Sequence, residues 1–203
     1  MGHLRLAEEM CEELGLSKVL LMPGAEPPHK DGCRVTPFSD RLEMVKLGAL
    51  SSDHLEVSDI EGQRTGPSYS IETVRVIRKK YKDDLELFFI LGSDAFKEIN
   101  TWKEYKDLFL ITNFVVIERP GIALGELGSF IESLGVGLKE AEKNIFYTSS
   151  GNHVFVKKTT QMDISSTKIR QNIRAGKSIN FIVPQKVKEY INRKGLYKNN
   201  EVS

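Results

Sequence analysis

The 203-residue sequence predicts a doubly wound α/β fold, a mostly parallel sheet with helices on both faces. Two observations carry this expectation. Short apolar runs recur at Lys18–Met22, His54–Ile60, Leu85–Leu91, Asn113–Ile117 and Val154–Val156. Segments with apolar residues at helical spacing stand between most of them. A strand that alternates with helices returns parallel to its predecessor, and the helices cover the sheet. With 40% hydrophobic residues and ordinary length, the chain is expected to form one domain over 1–203, with a helical C-terminal part over 164–197.

Each element has its own signal. Leu4, Ala7, Cys11 and Leu14 lie at helical spacing, and Gly15 follows as a stop. Lys18–Met22 reads as a buried strand ending at Pro23-Gly24. The loop from Ala25 to Pro37 holds three prolines and a glycine, which excludes regular structure and makes it the candidate mobile segment. Asp40-x-x-Glu43 resembles a capping box, and Phe38, Leu42, Val45 and Ala49 form an apolar stripe behind it. His54–Ile60 alternates like a strand, and Tyr69–Tyr81 is helical. Leu85–Leu91 is the most apolar strand and runs into Gly92-Ser93-Asp94. Asn113–Ile117 is a strand closed by Arg119-Pro120-Gly121. The stretch 122–152 carries the weakest pattern, read as a helix over Ser129–Glu142 and then a loop. After the short strand Val154–Val156 come helices at Thr167–Ala175, closed by Gly176, and Pro184–Arg193.

Composition excludes several classes. A net charge of +1 with 28% charged residues argues against disorder and against a general polyanion binder. No apolar run approaches the roughly 20 residues that span a bilayer. The N-terminus has no basic region followed by an apolar one, so no signal peptide is expected. Cys11 and Cys33 form no CxxC, and His3, His29, His54 and His153 are scattered. A structural zinc site is therefore not expected, and two reduced thiols of a cytoplasmic protein are.

Ligands of parallel sheets sit outside the C-terminal strand ends. Pro23–Lys30, Gly92–Asp94, Arg119–Gly121 and the segment after Val156 should therefore converge on one crevice. Ile164-Ser-Ser-Thr-Lys-Ile-Arg170 offers free backbone N–H groups, hydroxyls and two cations at a helix start, a ready site for phosphate. Eight basic residues against one acidic, Asp163, fill Lys157–Lys188. A plain N-cap with solvated charges explains that segment equally well. His29-Lys30, at the tip of a proline-stiffened loop, is either an anion contact or a surface turn. Asp94 either accepts from a ribose or caps a helix. Trp102, the single tryptophan, either stacks on a flat heterocycle or belongs to the core. Arg119 either grips a phosphate or carboxylate or bridges the sheet edge. Ser68-Tyr69-Ser70-x-x-Thr73 puts hydroxyls at a helix start, where they cap at least in part. Together these describe a nucleotide site with little acid–base machinery, suited to phosphoryl or nucleotidyl transfer.

In order, the chain reads Gly-His-Leu-Arg-Leu-Ala (2–7), Pro-Pro-His-Lys (27–30), Pro-Ser-Tyr-Ser-x-x-Thr (67–73), Gly-Ser-Asp-Ala-Phe (92–96), Thr-Trp-Lys (101–103), Arg-Pro-Gly (119–121), Ile-Ser-Ser-Thr-Lys-Ile-Arg (164–170) and Val-Lys-Glu-Tyr-Ile-x-x-x-Gly-Leu-Tyr (187–197). From end to end this resembles the bacterial nicotinate-nucleotide adenylyltransferases of the nucleotidyltransferase superfamily. The resemblance implies a Rossmann-like domain that joins ATP and nicotinate mononucleotide into deamido-NAD and releases pyrophosphate. It implies that His3 is catalytic and that Gly2, His3, Ser165, Ser166, Thr167 and Arg170 bind ATP. It implies that His29, Lys30, Tyr69, Thr73, Asp94, Trp102 and Arg119 bind nicotinate mononucleotide, with Trp102 stacked on the pyridine ring and Thr73 near the carboxylate. Mg²⁺ is expected to arrive on ATP, with no dedicated protein site. The expected partners are the two nucleotides, without nucleic acid or membrane, and self-association into a homo-oligomer stays open.

The resemblance departs at the front. The family opens with a strand and a Gly-Gly-x-Phe-Asp-Pro-x-His-x-Gly-His run, of which Gly2 and His3 remain here. The expectation is a sheet lacking the family's first strand, the rest of the motif lying upstream of an internal start or outside a fragment. An empty position in the sheet leaves backbone groups of its neighbours unpaired. Two alternatives accompany this reading: a catalytically impaired nucleotide-binding fragment, and a sister adenylyltransferase acting on nicotinamide mononucleotide or phosphopantetheine.

Overall fold

A computed structural model of the chain describes residues 1–25, 36–81, 85–118 and 124–198, with residues 124–127 described by backbone alone. In chain order the elements are α1 (Gly2–Leu14), β1 (Val19–Leu21), α2 (Phe38–Ala49), β2 (Leu55–Val57), a 3-10 turn (Ile60–Gln63), α3 (Ser70–Tyr81), β3 (Phe88–Gly92), α4 (Ser93–Phe96), a second 3-10 turn (Ile99–Thr101), α5 (Tyr105–Ile111), β4 (Asn113–Ile117), α6 (Leu124–Ser133), β5 (Lys139–Glu142), β6 (Ile145–Tyr147), β7 (His153–Lys157), α7 (Ser166–Arg174) and α8 (Gln185–Lys194). They fall into two compact units, Met1–Gly66 with Thr160–Ser203, and Pro67–Thr159.

The first unit is discontinuous in sequence. Its sheet is the parallel pair β1–β2, Val19 to Leu21 lying opposite Leu55 to Val57. Gly15 ends α1 at φ 63°, a left-handed conformation that glycine adopts without strain. Ile179, Val187 and Ile191 form a small core with Met44, Leu47, Ile169 and Ile173, joining α2, α7 and α8. Two polar ties reinforce it. The Tyr190 hydroxyl donates to Asp40 Oδ1 at 2.7 Å, and Lys194 Nζ lies 3.5 Å from the same oxygen. Arg41 closes the stems of the proline-rich loop. Its guanidinium donates to the carbonyls of Thr36 at 2.9 Å, of Ala25 at 2.9 Å and of Gly24. The same group lies 5.5 Å from the centre of the Phe38 ring, and that ring packs so closely on Gly62 that a Cβ there would fall 2.0 Å from Cε1.

The second unit holds a five-stranded sheet in the order β3-β4-β7-β6-β5. The pairs β3–β4 and β4–β7 are parallel, while β6 pairs antiparallel with β7 and with β5. Every residue of β4, Asn-Phe-Val-Val-Ile, is buried, as expected for a central strand covered on both faces. Phe109 and Phe114 lie 4.6 Å apart, and Phe96 meets both edge-on at 6.3 and 6.0 Å. Such aromatic pairs stabilise by about 0.5–1.5 kcal/mol beyond their buried area.

The α/β class and the predominance of parallel pairing agree with the sequence reading, but several local expectations are corrected. Among the described residues the strands are hydrogen-bonded in two groups, β1–β2 and β3-β4-β7-β6-β5, while the expected class stands. The helix expected over Ser129–Glu142 ends at Ser133, because Gly135 and Gly137 take φ 65° and 68° and break it. Its second half becomes β5, an exposed strand carrying Lys139, Glu140 and Glu142, charges that suit a sheet edge. The strand expected from Leu85 begins at Phe88, because the Leu85 carbonyl accepts from Arg78 Nη1 at 2.8 Å. The strand expected over His54–Ile60 is only Leu55–Val57, as Ser58 and Asp59 start a 3-10 turn. Asp40 makes no capping box. Helix α2 begins two residues earlier, after Pro37, and Asp40 binds Tyr190 instead.

Candidate functional site

In the first unit the chain places two helix starts at one end. A Cβ on half-buried Gly2 would lie 4.0 Å from Met162 Cβ. Two turns along α1, the Glu9 carboxylate accepts the Thr160 N–H at 2.9 Å through Oε2 and Arg5 Nε at 2.8 Å through Oε1. Residues 160–162 therefore run antiparallel to α1, Thr160 beside Glu9 and Met162 beside Gly2. Ser165 stands three residues further, within about 10 Å along the chain. Of the predicted ATP residues, Gly2 and exposed His3 open α1, while Ser165, Ser166, Thr167 and Arg170 follow Met162 at the start of α7. Glu9 is only 7% exposed. The Thr160 hydroxyl and N–H, followed by Arg5, hold its carboxyl below the usual glutamate range against the opposing effect of burial.

Helix α7 is capped as its sequence predicts. Ser165 Oγ accepts the Lys168 N–H at 3.1 Å. Arg170 Nη2 donates to Thr167 Oγ1 at 3.3 Å, and Lys168 Nζ pairs with Asp163 at 3.2 Å. The cap and the charges are thus both present. Exposed hydroxyls at the positive end of a helix dipole, with two cations beside them, can hold a phosphate group.

In the second unit the parallel register aligns Gly92, Ile117 and Lys157 at the C-terminal edge of the sheet. Ser93, Glu118 and Lys158 follow directly at this edge, while Arg119–Gly121 lies outside the described residues. Asp94, exposed, lies in the first turn of α4 and does not cap it, since Gly92 occupies the cap. Glu118 Oε2 and Lys158 Nζ lie 3.5 Å apart at the same edge.

Tyr69, Thr73 and Trp102 also belong to this unit, Tyr69 and Trp102 packing against its main core. Trp102 packs against the main core and meets Phe89 edge-on, 5.9 Å between ring centres at 70°. Core packing and a role in binding are therefore compatible at this residue. The Lys103 ammonium lies 4.5 Å from the centre of the Tyr69 ring and donates to Glu72 Oε1 at 2.6 Å. Glu72 in turn raises the pKa of Lys103 and keeps it protonated. Buried Thr73 donates to the Tyr69 carbonyl at 3.4 Å, tying the first turn of α3 to the ring that Lys103 covers.

His29, Lys30, Arg119 and most of the Pro23–Lys30 and Arg119–Gly121 segments lie outside the described residues. Glu9, Glu72, Glu118 and Lys158 are contributions that no sequence pattern singles out, and Lys103 enters the sequence reading only as the last residue of Thr-Trp-Lys. Their partners stand far away along the chain, 151 residues for Glu9 and Thr160 and 31 for Lys103 and Glu72. Among the described residues no group of three or more His, Cys, Asp or Glu could hold a metal ion, and no helix is long and apolar enough to cross a membrane.

Comparison with known proteins agrees with this geometry. The cytidylyltransferase-like family matches residues 1–172. A protein of Desulfatibacillum aliphaticivorans named "Probable nicotinate-nucleotide adenylyltransferase" is 41% identical, over 97% of this chain and 93% of that protein. A protein of the same name from Syntrophotalea carbinolica is 38% identical, over 100% of this chain and 93% of its own length. The solved structure of Plasmodium falciparum nicotinic acid mononucleotide adenylyltransferase complexed with NaAD has the same fold, with a TM-score of 0.71 at 17% identity, covering 96% of this chain and 89% of that one. With its sequence matched along nearly the whole length, the chain belongs to the cytidylyltransferase-like family and, within it, to the nicotinate-nucleotide adenylyltransferases.

Proposed function

We propose that this chain transfers the adenylyl group of ATP to nicotinate mononucleotide, giving deamido-NAD and pyrophosphate. The observation that supports this reading is that the segment leading into Ser165–Arg170 lies along α1, with the Thr160 N–H bonded to Glu9 and Met162 beside Gly2. In the reaction, an oxygen of the mononucleotide phosphate forms a bond to the ATP α-phosphorus. The bond from that phosphorus to the bridging oxygen breaks, and pyrophosphate leaves with the electron pair. The nucleophile is already an anion, so no protein base is required, and catalysis rests on position and on charge stabilisation.

His3, Gly2, Ser165, Ser166, Thr167 and Arg170 hold the ATP phosphates in this reading, and Mg²⁺ enters as part of the MgATP substrate. Tyr69, Thr73, Asp94 and Trp102 serve the mononucleotide, joined by His29, Lys30 and Arg119. Trp102 is the only tryptophan, so its fluorescence reports on this cluster alone. Titration with nicotinate mononucleotide is expected to quench it saturably, and pyrophosphate release is expected to depend on both ATP and that mononucleotide. Faster release with nicotinamide mononucleotide or phosphopantetheine would overturn the assignment.

A further inference from the structure

The acid and amide mononucleotides differ by one charge at the pyridine substituent, so a site that separates them needs a cation or fixed N–H donors near that substituent. Beside Tyr69 stands the Lys103 ammonium, 4.5 Å from the ring centre and on the residue that follows Trp102. We propose that Lys103 sets a preference for the acid mononucleotide by presenting its charge to the substrate carboxylate. This rests on the functional reading above and on the placement that the family resemblance implies, the pyridine ring against Trp102 and its carboxylate near Thr73.

Two features of the surroundings support this role and give it a sign. The ammonium is not a freely moving surface charge. The 2.6 Å bond to Glu72 and the face of Tyr69 fix it over the first turn of α3. That turn adds the positive end of a helix dipole on the same side. Glu72 therefore does two opposed things: it holds the cation in place, and its negative charge offsets part of the field that a substrate carboxylate meets. Glu104 adds a second negative charge near Lys103. Arg75, two residues beyond Thr73, bridges Glu104 and Asp107 at 2.8 Å each and is committed to that pair.

Because Lys103 is partly exposed, its effect is that of a solvent-screened pair, about threefold to fivefold in relative affinity. The test measures dissociation constants of nicotinate and nicotinamide mononucleotides by calorimetry on the full chain and its variants. Lys103→Met is expected to lower the acid-over-amide ratio by about threefold to fivefold, and Lys103→Arg to keep it within about twofold. Glu72→Gln keeps an acceptor for the ammonium but removes the offsetting charge, so the ratio is expected to rise. A merely structural role moves both ligands together. Equal weakening of the two by Lys103→Met, an unchanged ratio, a fall of the ratio in Glu72→Gln, or no preference in the parent chain would each overturn the proposal. If the parent chain binds neither mononucleotide, the functional reading itself fails, and the parent measurement alone identifies that outcome.

Discussion

Replacing Glu9 by alanine tests the bond that holds the two helix starts together. The substitution removes a covered carboxylate and leaves the Thr160 N–H without its acceptor. A hydrogen bond to a charged group is worth about 1.5–3 kcal/mol. The Arg5 pair adds little, about 0.3–0.5 kcal/mol, because Arg5 is 48% exposed and the pair is an i,i+4 contact. The expected loss is therefore about 2–3.5 kcal/mol, which lowers Tm by roughly 4–14 °C in a chain of this size. Glu9→Gln keeps one oxygen for the Thr160 N–H and should lose only about 1 kcal/mol. The pH dependence supplies a second check. The folded carboxyl is held below its ordinary value, so its contribution is present above the unfolded pKa, about 4.3, and is lost as pH falls through the lower folded value. The difference between the parent and Glu9→Gln, followed by calorimetry from pH 7 downward, should shrink over that window. Loss of less than about 0.5 kcal/mol in Glu9→Ala, or a parent–Gln difference that stays constant into acid, would refute the reasoning.

Three further outcomes follow from the first unit. Arg41→Lys leaves at most part of the three-carbonyl clamp satisfied, since an ammonium lacks the planar fork, and should cost about 2 kcal/mol in urea unfolding; no change would remove the clamp from the account. Gly62→Ala drives a methyl into the Phe38 ring and should destabilise by about 1–3 kcal/mol, and pairing it with Phe38→Leu should recover part of that loss in thermal melts. Tyr190, bonded to Asp40, has its phenol pushed up to about 12, so ultraviolet titration of Tyr190→Phe should lose a step there and keep those nearer 10. The neutral phenol's contribution is present below the unfolded value near 10 and is lost as pH rises through about 12. A Tyr190→Phe curve that instead loses a step near 10 would contradict the Asp40 bond.

Much of the fold is legible in the sequence because its strongest signals are local. Gly15 and Gly176 mark helix ends within a residue or two of where the structure has them, since such stops depend on a few neighbouring residues. The run Asn113–Ile117 is recognised because a strand buried on both faces is continuously apolar. The hairpin at 139–147 is missed because exposed edge strands carry charges and lack the alternation that marks a half-buried strand. The site divides in the same way. The residues of Ser165–Arg170 announce themselves by hydroxyl and charge spacing, whereas Glu9 looks like one more charge in an acidic helix until Thr160 is found against it. Lys103 likewise is only the last residue of Thr-Trp-Lys until Glu72 and Tyr69 are seen to hold it.

The discontinuous make-up of the first unit has a consequence for how the chain is made. Residues 67–159 form a continuous unit and can begin to fold on the ribosome as soon as they emerge. The other unit has its first 66 residues waiting for α7 and α8, which are synthesised last. Until then Glu9 has no Thr160 to receive and Asp40 no Tyr190. That unit is therefore assembled only after α8 has been made, and nascent chains arrested before α8 should contain a folded second unit and an unfinished first.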